Sequence, residues 1–187
     1  MTDRFEIDET PLDGVKVLRR KVMGDERGFL ERLFCARELG PLMTDRTIKQ
    51  INRTLTSRRG TVRGMHFQRP PHAETKFVTC LRGRVFDVAV DLRRGSPTFL
   101  KWHSEVLSAS DPSTLFIPEG LAHGFQALSD DSELLYFHTA CYEPGAEGAI
   151  NVRDPLLAIR WPEEITELSS RDAQHPMLTS DFEGIAV

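Results

Sequence analysis

The sequence predicts an all-β sandwich or barrel, on three observations. Short strand-like segments recur about every ten residues, the spacing typical of such folds. No segment sustains an apolar period of 3.6 over the length of a helix. Turn residues fall between the apolar runs, with 13 Gly and 11 Pro among 187 residues. No internal repeat, low-complexity tract or linker interrupts this pattern, so one domain over residues 1–187 is expected, long enough for one sizeable core.

In chain order, residues 5–23 read as two extended segments around a turn at 11–14. Gly24-Asp25-Glu26-Arg27-Gly28 is a second turn. Residues 29–36 read as extended, and 37–42 as a short peripheral helical turn ending near Gly40-Pro41. Residues 47–55 alternate as a strand. The stretch GTVRGMHFQRPPHAETKF, residues 60–77, then holds most of the chemistry. A strand over 61–68 carries Arg63 and His66. Pro70-Pro71 turns a corner, because proline fixes φ and removes a ladder donor. The returning chain brings Glu74 and Lys76. Four ionisable types among apolar β-formers make a poor core and a plausible polar pocket.

Strands are expected over 76–81 and 84–92, on either side of Gly83. In the second, Phe86, Val88, Val90 and Leu92 share one face, and Val85, Asp87, Ala89 and Asp91 the other. Two carboxylates flanking a small Ala suit a face on a cavity, or a solvated outer face. A turn at 95–98 leads to a strand over 99–107. Short strands follow at 115–118 and 134–138, separated by a loop at 118–124 and the acidic turn Ser129-Asp130-Asp131-Ser132. Beyond Pro144 the chain is punctuated by Gly, Pro and Asp, and 168–173 suits one helical turn with a Ser cap.

Composition excludes several classes. The net charge of −4 gives no global attraction to nucleic acid or an anionic membrane, so an anionic ligand needs a local cluster of Arg and Lys. Cys35, Cys80 and Cys141 are odd in number, scattered and without a CxxC pair, which argues against a disulfide frame or a zinc site. With 40% hydrophobic and 28% charged residues, no long apolar run and no basic, apolar leader, a cytoplasmic chain without membrane contact is expected.

Pro118-x-Gly120-x-x-His123, in PEGLAHGF, resembles the second signature motif of the cupins, small double-sheet jelly rolls. Metal-binding cupins carry two His one residue apart in the first motif, whereas this chain has His66-Phe67-Gln68. His66, Glu74 and His123 still offer three donors, so a metal cupin, an isomerase or oxygenase, stands as one alternative.

The runs RGMHFQ, KFVTCLRGRVFDVAVDLRRGSPTF, IPEGLAHGF, LLYFHTACYEPGAEGAI, DPLLAIRWP and LSSRDAQHP, in order and nearly without gaps, resemble the dTDP-4-dehydrorhamnose 3,5-epimerase family. The resemblance spans residues 12–178. It implies a cupin-type jelly roll that forms homodimers, uses no metal or other cofactor, and epimerises nucleotide-diphosphate-linked 4-keto-6-deoxy sugars at C3, C5 or both. By resemblance His66 is the base, Asp172 the carboxylate that orients it, Tyr136 the acid on the opposite face and Lys76 the cation at the enolate. Arg27 and Arg63 match residues that hold the diphosphate, and Gln50, Asn52, His123 and Tyr142 line the pocket.

These residue types suit that chemistry. A C–H beside a ketone is acidic because the carbanion delocalises onto the carbonyl oxygen. Inversion therefore needs a base, a proton donor on the other face, and a cation at the developing oxyanion. Histidine, with an ordinary pKa near 6.5, is a natural base. A non-catalytic sugar-binding cupin would have lost His66, Tyr136 or Asp172, and a C3-only or C5-only epimerase would keep them all. His72, His103, His138 and His175 have no matching role. Two further expectations follow. Arg63 and His66 are three apart, so placing both in one pocket requires a bulge at Gly64, and Asp87 and His123 could form a second carboxylate–imidazole pair. The chain also departs from the family pattern, with Arg32 in place of a Glu and Glu74 in place of a Gln, and the two are expected to compensate as an ion pair at the pocket mouth.

Overall fold

Two sheets face each other, built from short strands in a computed structural model that describes residues 4–187. In chain order the elements begin with β1 (Phe5–Glu9), β2 (Lys16–Arg20), and a hairpin of β3 (Met23–Asp25) and β4 (Gly28–Leu30). Helix α1 (Ala36–Leu39) runs into a 3₁₀ turn, Gly40–Met43. Then come β5 (Gln50–Thr56), β6 (Thr61–Gln68), β7 (Lys76–Arg82), β8 (Arg84–Asp91) and β9 (Trp102–Ser108). They are followed by β10 (Ser113–Ile117), β11 (Leu121–Ala127), β12 (Ser132–His138), β13 (Glu147–Ala149), β14 (Glu167–Leu168) and α2 (Ser170–Ala173).

One sheet has the order β1-β2-β10-β7-β12-β5. The other runs β13-β6-β11-β8-β9, with β14 added parallel to β6. This is the jelly-roll sandwich expected, with short helices at its edge. Alternation sorts the side chains. Val78, Leu115 and Leu134 of the first sheet meet Val85, Ala89 and Phe125 of the second in the central core. Each of the Val, Leu and Phe side chains, fully buried, contributes about 1.5–3 kcal/mol. The outer face of the second sheet, with Val62, Val88 and Val90, is covered by Trp161, Ile165, Leu168 and Ile185 from the C-terminal segment. The outer face of the first, with Phe77, Phe116 and Phe137, is covered by Leu39 and Met43.

The parity of β8 is thereby settled. Asp87 lies on the inner face with Val85 and Ala89, fully buried. Asp91 shares that parity but not the cavity. Its carboxylate accepts from Arg93, Ser96 and Thr98 and so ties down the following loop.

Three expectations are corrected. The segment 118–124, read as a loop, is mostly strand β11, buried at every position. Its Gly124 suggests a break, but it serves close packing, since a Cβ there would lie 2.6 Å from Met65 Sδ and 2.8 Å from the Arg63 carbonyl oxygen. The extended stretch after residue 29 ends at Leu30, and the helical turn begins one residue early and continues through the 3₁₀ turn to Met43. The bulge at Gly64 is present. His123 pairs with His66 and Phe125 with Arg63, so two residues of β6 oppose the single Gly124 of β11.

Candidate active site

Between the sheets opens a cavity of about 720 Å³, walled by β6 and β11 on one side and β5, β7 and β12 on the other. Its position follows from β6. The bulge turns both Arg63 and His66 toward the opening, while Val62 and Met65 pack into the outer core.

The His66 ring donates from Nε2 to Asp172 Oδ1 at 2.8 Å, leaving Nδ1 free to take up a proton. Asp172 comes from α2, whose first turn is fixed by Ser169, the hydroxyl of which accepts from the Asp172 backbone N–H at 3.0 Å. Burial would raise the Asp172 carboxyl. The hydrogen bond and charge of His66 and the Gly64 backbone N–H outweigh it and hold the group below the ordinary carboxylate range. His175 donates to the same Oδ1 at 3.2 Å.

On the facing sheet stand Tyr136 and Lys76, both buried. Burial pushes the Tyr136 phenol well above its ordinary value, so the O–H stays intact. The Tyr136 ring stacks on His138, 5.9 Å between centroids, and meets His123 edge-on at the same separation. Lys76 Nζ lies 2.7 Å from Glu74 Oε1, and His138 Nδ1 donates to Glu74 Oε2 at 2.8 Å. Burial opposes ionisation of Glu74, but the Lys76 charge and His138 hydrogen bond prevail and hold its pKa at about 2. Deeper in, His123 donates to Asp87 Oδ1 at 2.8 Å, the second pair expected. Here burial wins over His123 and raises Asp87.

A family model described as dTDP-4-dehydrorhamnose 3,5-epimerase matches residues 9–180. The chain belongs to this family. It is therefore an enzyme of the isomerase class, an epimerase by family. The dTDP-4-dehydrorhamnose 3,5-epimerase of Salmonella typhimurium is 43% identical over 172 residues, covering 91% of this chain and 93% of the relative. A crystal structure of dTDP-6-deoxy-D-glucose-3,5-epimerase from Legionella pneumophila, in complex with dTDP-4-keto-L-rhamnose, superposes with a TM-score of 0.87 at 39% identity, covering 92% of each chain. A 3'-monoepimerase from Streptomyces bikiniensis in complex with dTDP-quinovose gives 0.84 at 31% identity, covering 91% of this chain and 86% of that one.

Of the epimerase residues expected from sequence, His66, Asp172, Tyr136, Lys76, Arg63, Asn52, His123, Glu74 and Tyr142 all line the cavity. Gln50 stands at its rim, accepting from the Tyr142 backbone N–H at 2.9 Å. Arg27 and Arg32 do not join them within the chain. Arg27 sits on the β3–β4 hairpin, exposed and paired with Asp25. Arg32 lines a separate hollow with Arg4, Leu30 and Phe34 and pairs with Glu38. The expected Arg32–Glu74 pair is thus not formed within the chain, because Glu74 is already held by Lys76 and His138. The alternative metal set of His66, Glu74 and His123 does not converge either, since Glu74 and His123 are committed to other partners. Sequence reasoning passed over His138 and His175. His138 shares a strand face with Tyr136, two residues away, and His175 follows Asp172 by one helical step, so spacing alone could have found both.

Proposed function

We propose that the chain epimerises a dTDP-linked 4-keto-6-deoxy sugar at C3 and C5, as its relatives' names describe for them. The observation that carries the reading is placement. His66 and Tyr136 stand on opposite sheets across one cavity, with Lys76 beside Tyr136 on the tyrosine's sheet. A planar enolate between the sheets would have a base on one face and a neutral O–H on the other, which is what inversion demands. His66 Nδ1 removes the proton while Asp172, kept ionised, favours the imidazolium that results. Lys76 stabilises the oxyanion, and Tyr136 protonates the far face. Arg63, which donates to Thr56 Oγ1 at 3.0 Å, supplies charge for the diphosphate.

The working form is a homodimer. Supporting this, Phe29 and Leu30 on the β3–β4 hairpin are each 72% exposed, and Ile51 on edge strand β5 is 57% exposed. A second copy would cover this apolar surface and give Arg27 a cavity to reach, since Arg27 does not line its own.

Incubation with a panel of nucleotide-linked 4-keto sugars in D₂O tests the reading. The expected result is deuterium at both C3 and C5 of a dTDP-linked sugar. Label at C3 alone would instead favour a monoepimerase, as the name of the Streptomyces bikiniensis relative describes for that protein.

A further inference from the structure

The residues His66, Asp172 and His175 offer Nε2, Oδ1 and Nε2, three ligand atoms all within 4.8 Å of one another. Among the described residues no other group of histidines, cysteines and carboxylates converges in this way. The geometry points to a binding site for a divalent transition-metal ion of the zinc class, whose occupation blocks the His66–Asp172 dyad. The blocking role rests on the function proposed above; the binding does not.

The donor set is right for such an ion. Two imidazoles and one carboxylate, with a fourth position open, form a set that zinc accepts readily, and imidazole favours zinc, copper and nickel over magnesium or calcium. The spacing is close as well. A tetrahedral ion with bonds of about 2.0–2.2 Å holds its ligands roughly 3.3–3.6 Å apart. Here the carboxylate oxygen lies 2.8 Å from one nitrogen and 3.2 Å from the other, and the two nitrogens lie within 4.8 Å of each other, so a small ring movement would complete the set. The two rings stand at 87° with centroids 5.5 Å apart, so they meet edge to face and do not stack. The carboxylate is preset. The Gly64 backbone N–H donates to it, and the Ser169 cap fixes its helical turn. Asp172 and His175 are largely shielded, while the His66 side chain is 36% exposed, and His66 and Asp172 both line the cavity through which an ion would enter.

A dyad needs only one imidazole on its carboxylate, and His175 is the second. Its consequence is a chelate. An ion there would take Nε2 of both rings, whose protons shift to Nδ1. The hydrogen bonds to Asp172 are lost, and the His66 Nδ1 that must accept the substrate proton already carries one.

The test titrates zinc into metal-free protein, followed by calorimetry and by the rate of solvent deuterium exchange into a dTDP-linked 4-keto sugar. One zinc per chain and inhibition reversed by a chelator are expected. His175→Gln keeps a donor for Asp172 and loses a ligand. Loss of even an outer-shell partner weakens metal affinity by about 10–100-fold, so this variant should raise the zinc concentration for half-inhibition, each protein measured against its own uninhibited rate, by at least that factor. A thermal melt confirms that the variant is folded, and Cys141→Ser, which removes the exposed thiol, should remain as sensitive as the parent. Absence of binding overturns the site, as does equal sensitivity of His175→Gln or loss of inhibition in Cys141→Ser. Zinc bound through His175 without inhibition would support the site and overturn the blocking role, counting against His66 as the base.

Discussion

The His66–Asp172 and His123–Asp87 pairs match in contact, 2.8 Å from ring nitrogen to carboxylate oxygen in each, and differ in what surrounds them. Asp172 has further donors in His175 and the Gly64 N–H, and its carboxyl is held low. Asp87 is completely buried, its Oδ2 has no hydrogen-bond partner among the described residues, and its carboxyl is raised. An imidazole does not decide the charge of its carboxylate. The count of remaining donors does, because each lone pair left bare in a low-dielectric interior penalises the anion. The pair open to the cavity can therefore support a charge that comes and goes, while the buried pair fixes the floor of the cavity under Tyr136.

The largest expected effect contrasts the two histidines. His66→Asn should lower both solvent exchange and inversion by about 10²–10⁴-fold, the usual worth of a general base, with a melting temperature close to the parent's. His123→Asn should do the reverse, lowering stability by about 1–3 kcal/mol by stranding the buried Asp87 and lowering exchange far less. Chemical denaturation and exchange rates on both variants check this. Equal loss of exchange in the two would erase the distinction between the pairs.

A smaller effect is expected at Glu74, a third carboxylate on an imidazole and the one that Lys76 also holds. Its folded pKa of about 2 lies below the ordinary 4.5, so its contribution is fully present above pH 4.5 and lost as pH falls toward 2. That contribution is on the order of 3 kcal/mol. Glu74→Gln should flatten the acid limb of the stability–pH curve across that window, as urea denaturation at stepped pH would show. Superimposable limbs would mean that Glu74 is not ionised against Lys76.

These contrasts also mark what the sequence could reveal. Strand β6 was legible to the residue, because Gly60 and the proline corner bracket alternating β-formers, and the parity conflict between Arg63 and His66 required the bulge found at Gly64. Strand β11 was not legible. Its Gly124 looks like a turn residue in one dimension and is a packing necessity in three. Arg63, His66, Glu74 and Lys76 were legible as a polar pocket from the residues themselves, the other cavity residues came from resemblance, and nine of twelve named positions line it. Arg27 and Arg32 fell outside because one sits in the turn of the β3–β4 hairpin and the other just after it, and that hairpin forms a sheet of its own, a pairing that local pattern does not encode. Asp172 and His175 lie more than 100 residues from His66 in sequence, and only the fold of the C-terminal segment over the second sheet brings them together.

The central claim is that base and acid occupy opposite sheets, and Tyr136→Phe in D₂O tests it most directly. The variant keeps the ring between His123 and His138 and loses only the O–H. His66 should still form the enolate and return a solvent deuteron to the same face. The account predicts deuterium at the α-carbon with configuration retained, and inversion down by about 10²–10⁴-fold. Inversion at near the parent's rate would contradict it and make Tyr136 a packing residue.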